Sequence, residues 1–115
     1  MLLKNIAVLI LFLLVGEAKL LGQNFWISVT KPTTLNLYKL FFIDTSTGWV
    51  AGDSGFVAKT TNAGQTWTRQ NTAVTQSIVD IFMLNAQTGW ALANVIDSNF
   101  NYWTVILSTT DAGSY

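Results

Sequence analysis

Phe41-Phe42-Ile43-Asp44-Thr45-Ser46-Thr47-Gly48-Trp49 returns forty-one residues downstream as Phe82-Met83-Leu84-Asn85-Ala86-Gln87-Thr88-Gly89-Trp90. The same interval carries Trp26 onto Trp67 and Thr34 onto Thr75. A fixed period of roughly 40–45 residues is the length of four short strands with their turns, the repeat unit of stacked β-propeller blades. The register therefore predicts an all-β fold before any single side chain is weighed.

Outward from this stretch, short apolar runs alternate with turn residues, as antiparallel strands do. Leu37 to Ile43 reads as a first strand and Gly48 to Gly52 as a second, joined through Asp44-Thr45-Ser46-Thr47. Asp53-Ser54-Gly55 is a tight hairpin turn. Phe56 to Thr61 and Thr66 to Gln70 follow as third and fourth strands, completing a four-stranded antiparallel meander. The first blade is thus expected over 37–77 and the second over 78–115, with strands at Ile78 to Leu84, Gly89 to Ala93 and Tyr102 to Thr109. The second copy is incomplete, and the Trp-to-Gly interval of fifteen residues between Trp49 and Gly64 grows to twenty-three between Trp90 and Gly113. These eight extra residues fall between its second and third strands. Phe25-Trp26-Ile27-Ser28-Val29 aligns with Thr66 to Gln70, so residues 23–36 are expected to be a donated outer strand and linker that closes a ring. One whole blade, most of another and one donated strand cannot bury both faces of every sheet, so further blades of the same chain are expected.

Residues 1–22 are a different kind of sequence. Lys4 supplies positive charge, Ile6 to Val15 is an unbroken apolar run, and Gly16-Glu17-Ala18 offers small residues for cleavage. These parts in this order predict a secretory signal peptide, cut after Ala18 or after Gly22. The run is about half the roughly twenty residues that a transmembrane span needs, leaving an uncleaved anchor as the alternative and no stable span once the signal is removed. The expected location is secreted or periplasmic.

Composition excludes several classes. Half the chain is hydrophobic and a tenth is charged, with charges that cancel, which argues against disorder and against nucleic-acid binding. No Cys or His is present, so disulfides, thiolate or imidazole metal sites and imidazole acid–base chemistry are absent, and no cofactor or metal is expected.

Thr60-Thr61-Asn62-Ala63-Gly64-Gln65-Thr66-Trp67 fits the Asp-box pattern, Ser/Thr-x-Asp/Asn-x-Gly-x-Ser/Thr-Trp, and Thr109-Thr110-Asp111-Ala112-Gly113-Ser114-Tyr115 repeats most of it. Such a turn supports itself. Asn62 or Asp111 accepts from the following backbone N–H groups, Gly64 or Gly113 takes positive φ, the hydroxyls of Thr60, Thr66 and Thr109 bond locally, and Trp67 packs beneath. Together with the two Phe-x5-Thr-Gly-Trp strands, the boxes make Phe25 to Tyr115 resemble the Ycf48-like propellers. That family is related to photosynthesis-system assembly factors and, more distantly, to the Asp-box (BNR) repeats of sialidases and sortilin-type receptors. The resemblance implies a propeller acting as a non-catalytic scaffold or recognition surface. Asn62 in place of Asp, Ala63 and Ala112 where the family often has Gly, and Tyr115 in a Thr/Ser slot depart from its pattern.

Each motif carries two readings. The boxes read as structural turns or as ligand or calcium sites at Asn62 and Asp111, and their resemblance to peripheral boxes favours turns. Trp49, Trp67 and Trp90 read as core or as sugar-stacking platforms, and recurrence in register favours core. The eight-residue insertion reads as a binding loop presenting Asp97, Phe100 and Trp103, or as a longer hairpin whose aromatics pack on a neighbouring blade. Lys39 and Asp80 occupy equivalent positions on successive first strands, where an ion pair is expected to contribute little. For catalysis, a sialidase-like hydrolase would need an arginine cluster and a Tyr/Glu pair, whereas residues 23–115 hold only Arg69 and no Glu. No catalytic residue is therefore assigned, the hydrolase stands as the alternative with its machinery in further blades, and the expected partner is an unidentified protein or glycan.

Overall fold

The computed structural model describes residues 25–113; the expected signal peptide and the last two residues of the second box lie outside them. The described residues form seven strands and no helix: β1 (Leu37–Phe42), β2 (Gly48–Gly52), β3 (Val57–Thr60), β4 (Thr68–Gln70), β5 (Ser77–Met83), β6 (Gly89–Ile96) and β7 (Tyr102–Thr109). They make two antiparallel sheets, β1-β2-β3-β4 and β5-β6-β7, each in sequence order. The chain is all-β.

The forty-one-residue register recurs in backbone detail. Both first strands carry an irregularity at the same place, between Leu37 and Lys39 and between Ile78 and Asp80. In both first turns one side-chain oxygen closes the loop: Asp44 Oδ1 accepts from the N–H groups of Ser46 and Thr47, and Asn85 Oδ1 from those of Gln87 and Thr88. An Asx side chain mimicking a backbone acceptor is the local reason the chain reverses here.

Boundaries differ from expectation where polar side chains compete for the ladder. β4 starts at Thr68 rather than Thr66, because the Thr66 N–H donates to Asn62 Oδ1 at 2.9 Å and is lost to strand pairing. β6 does not end at Ala93. The inserted residues continue the ladder through Ala93–Val105, Asn94–Thr104, Val95–Trp103 and Ile96–Tyr102, four pairs that β2 and β3 lack. Only Asp97–Asn101 is turn, the same five-residue length as Gly52–Phe56 between the last pairs of β2 and β3. Residues 25–29, expected as a donated strand, form no strand, and Trp26 is fully exposed while its register equivalent Trp67 is half-buried. A fourth strand takes its surroundings from the third strand beside it, and no third strand adjoins Trp26 among the described residues.

The two sheets stack face to face. Trp49, Ala51 and Val57 from the first sheet meet Ile78, Ile81, Met83 and Ala93 from the second, all buried, with Phe41, Ile43 and Leu107 at the margin. Alternation along β2 sends Val50 the other way, into a smaller cluster with Phe56 and Ala58 roofed by Leu35, Leu37 and Trp67. The stacking has a direction. On the first sheet the face carrying Trp49 and Ala51 is covered, but on the second the equivalent Trp90 and Leu92 point outward and stay 43% and 36% exposed. Equivalent faces of the sheets therefore look the same way, and the contact joins unlike faces.

Candidate functional site

The candidate site is the end of the molecule that carries the turns between second and third strands. The Gly52–Phe56 turn is clamped there: the Asp53 N–H donates to Asn36 O at 3.0 Å, the Gly55 N–H to Gln76 O at 2.8 Å, and the Thr72 hydroxyl to Gly55 O at 2.7 Å. The connections entering both sheets thus share this end with the hairpin turns.

From it the β6–β7 hairpin projects by its four extra pairs. Asp97 builds the tip: Oδ1 accepts from the N–H groups of Asn99 and Asn101 at 2.8 and 2.9 Å, and Oδ2 from Asn101 Nδ2 at 2.9 Å. These donors, Asn101 foremost, hold the Asp97 carboxyl below its ordinary range. Of the three residues singled out in the insertion, Asp97 is therefore committed to turn geometry, leaving Phe100 and Trp103 to be presented. Phe100 stands at the tip with φ of 62° and is largely exposed; Trp103 and its neighbours Tyr102 and Ile96 are exposed as well. Trp103 pairs with Val95 and Tyr102 with Ile96, so the two rings lie on opposite faces of the hairpin.

The Thr60 and Thr109 turns are closed on themselves. Thr60 Oγ1 donates to Asn62 Oδ1 at 2.9 Å and accepts from the Gly64 N–H at 2.9 Å, while Asn62 Nδ2 donates to Thr66 Oγ1 at 2.8 Å. In the second turn Thr109 Oγ1 donates to Asp111 Oδ1 at 2.9 Å, and the Gly113 N–H reaches both Thr109 Oγ1 and Asp111 Oδ1 at 3.0 Å. Gly64 and Gly113 have φ of 84° and 68°, and Ala63 and Ala112 share the left-handed region at 59° and 58°. Each turn is also pinned to its sheet's first turn, the Ala63 N–H donating to Ser46 O and the Ala112 N–H to Gln87 O. Trp67 lies under the Gly64 turn and edge-on to Phe42, with centroids 6.5 Å apart. The Asn62 and Asp111 side chains are thus engaged with backbone N–H groups and hydroxyls of their own turns.

No known family, curated protein or solved structure is detectably similar to this chain. Chemistry at the site must be read from its own residues.

A cluster beside the hairpin turn was not singled out by sequence. Asp53 Oδ1 accepts from Tyr38 OH at 2.6 Å and Ser77 Oγ at 2.9 Å, and Oδ2 from Asn36 Nδ2 at 3.1 Å. The Tyr38 hydrogen bond and then that of Ser77 lower the Asp53 pKa; the same bond, with the carboxylate's charge, raises that of Tyr38. The cluster ties β1 and its entry segment to the start of β5. Lys39 and Asp80, equivalent on β1 and β5, meet at 3.0 Å with both side chains substantially exposed, and Lys39 lowers the Asp80 pKa. Lys59 lies over the Trp49 ring and donates to Ala86 O at 3.2 Å, while the Arg69 guanidinium lies over the Phe56 ring. Among the described residues no group of three or more carboxylates could hold a metal ion, and no helix is long and apolar enough to cross a membrane.

Proposed function

We propose that this chain contributes adjacent blades of a secreted, non-catalytic β-propeller, a recognition scaffold that engages a protein or glycan partner through the β6–β7 hairpin tip. The observation that carries the reading is the tip itself: exposed Phe100, Tyr102 and Trp103 on a turn pre-set by Asp97. Aromatic rings on a rigid turn supply contact area at small ordering cost. The propeller part is supported by the forty-one-residue register, by sheets that meet through unlike faces and by self-closed turns resembling Asp boxes. Against glycoside hydrolysis, the one arginine is engaged over Phe56 and residues 25–113 contain no Glu.

The test compares the wild-type chain with a Phe100→Ala/Trp103→Ala variant on a glycan array and against candidate extracellular proteins. The expected result is a partner bound by wild type and weakened at least about tenfold in the variant, equivalent to about 1.4 kcal/mol, with the circular dichroism spectrum unchanged. Equal binding by both proteins would refute the tip as the recognition surface. Turnover of a fluorogenic sialoside by the purified chain would refute the non-catalytic reading.

A further inference from the structure

We infer that the ligand of the β6–β7 arm is an uncharged oligosaccharide, one pyranose of which stacks on Trp103 in the notch between the arm and the clamped Gly52–Phe56 turn. This rests on the recognition role proposed above and deepens it by naming the ligand class and the flank of the arm that holds it.

The notch follows from the register. Ala93 is buried against the first sheet, and in the unbroken β6–β7 pairing Val95 lies two residues on from it, opposite Trp103. Val95 and Trp103 therefore continue, past the end of the inter-sheet core, the face of the second sheet that looks toward the first. Ser77 pairs with Asn94, so Gln76 stands level with Val95. The Gln76 carbonyl is also the atom that accepts from the Gly55 N–H, at 2.8 Å, which fixes the short turn at the foot of the Trp103 flank. Past that level the arm rises by the Ile96–Tyr102 pair and its own turn. The short turn carries Ser54 and Gly55 at its apex, small residues that fill little of the roughly 10 Å between stacked sheets. Both walls are set in advance, the turn by its bonds to Asn36, Gln76 and Thr72 and the arm by Asp97. Trp103 stays 47% exposed between them.

The chemistry of these walls selects the ligand. A pyranose offers a flat C–H face edged by hydroxyls, the complement of an indole face bordered by amide and hydroxyl groups. Asn101, two residues before Trp103 and so on the same flank, has its amide held by the bond from Nδ2 to Asp97 Oδ2, which leaves the amide oxygen to accept from a sugar hydroxyl. Exposed Ser54 supplies a hydroxyl from the other wall. Charge points the same way. Residues 52–56, 71–77 and 94–106 contain no Lys or Arg, and their only acidic residues are Asp53 and Asp97. Arg69 stands over Phe56, on the opposite face of the first sheet. An anionic saccharide would therefore meet two carboxylates and no counter-charge. Size favours a small ligand as well: beyond Ala93–Val105 the arm holds only residues 94–104, under half of the roughly 20–30 residues a side in a stable protein interface. Tyr102 and Ile96 lie on the flank away from the notch, which makes them controls for it.

The test applies the chain, expressed for export, to an array of neutral gluco-, galacto- and manno-configured oligosaccharides printed beside their sulfated and uronic-acid counterparts. Titration calorimetry then follows the strongest neutral ligand. The expected result is retention of neutral saccharides in preference to their charged counterparts. Trp103→Ala is expected to weaken binding at least about tenfold, and Trp103→Phe, which keeps a ring for stacking, by less than about threefold. Ser54→Gln, which crowds the notch from the turn side, is expected to weaken it at least about threefold, and Tyr102→Ala by less than about twofold. Each variant is compared at an unchanged circular dichroism spectrum. No retained neutral saccharide, a preference for the charged counterparts, or an equal loss in Tyr102→Ala would each overturn the inference. An extracellular protein that binds wild type and is lost in Phe100→Ala/Trp103→Ala, with no saccharide retained, would overturn the oligosaccharide and leave the tip as the recognition surface. Saccharide binding indifferent to both Phe100→Ala and Trp103→Ala would overturn the tip itself.

Discussion

At Asp53 one carboxylate collects a phenol, an amide and a hydroxyl from three places in the chain, and the sign of its response to pH follows. Its folded pKa is lowered, so its contribution is present above the ordinary aspartate value of 3.8 and is lost as pH falls through the lower folded value. Tyr38 is raised, so its contribution is complete below the ordinary tyrosine value of 10.0 and is lost as pH rises through the folded value. Urea midpoints measured across pH are expected to fall at both extremes, and Asp53→Asn to flatten both limbs. A parallel loss in wild type and Asp53→Asn would contradict this. Thr60 is the other telling residue, 1% exposed with its hydroxyl shared among Asn62 and Gly64. Thr60→Val keeps the shape but strands the buried Gly64 N–H, a loss of about 1–3 kcal/mol by chemical denaturation. The Thr60 turn was readable in sequence because its partners lie within six residues. Asp53 was not, because Tyr38 and Ser77 reach it from fifteen and twenty-four residues away, and local composition shows only that Asp53 is in a turn.

Among the elements, all seven strands within 37–113 stand where alternation and turn residues put them, because each is one arm of a short-range hairpin. The differences came from polar competition at Thr66 and from the inserted segment, where Asn94 and Asn101 look like loop and only cross-strand pairing shows Asn94 to be ladder. Sequence named Phe100 and Trp103 as exposed candidates and could not show that Asp97 is spent on the turn, which depends on backbone N–H directions. Gly52 gives an element-scale prediction. A Cβ there would collide with the carbonyl oxygen of Asn36, the atom that accepts from the Asp53 N–H. That oxygen is backbone and cannot step aside, so Gly52→Ala is expected to cost about 1–3 kcal/mol in a thermal or urea melt. A neutral result would mean that residues 33–36 detach freely from the hairpin turn.

For the whole molecule, the contrast between Trp49 and Trp90 is the measure of how far stacking extends. Trp49 is 1% exposed beneath the second sheet, and Trp49→Ala is expected to cost about 3–5 kcal/mol, a large share of the stability of a domain this small. Trp90→Ala should cost far less, because its ring is 43% exposed. Thermal melts of the two variants measure the difference, and equal losses would mean that the second sheet is covered as the first is. The four added ladder pairs also set an arithmetic for this protein's reach. Each lengthens the arm by about 3.4 Å, so Phe100 stands about 14 Å farther out than the shorter turn, and side chains reverse their facing at every step. Because the number of steps is even, the long and short tips lean to the same side. Removing one pair would draw the arm in only slightly yet swing Phe100 to the opposite flank, making the aim of this finger more sensitive to length than its extent.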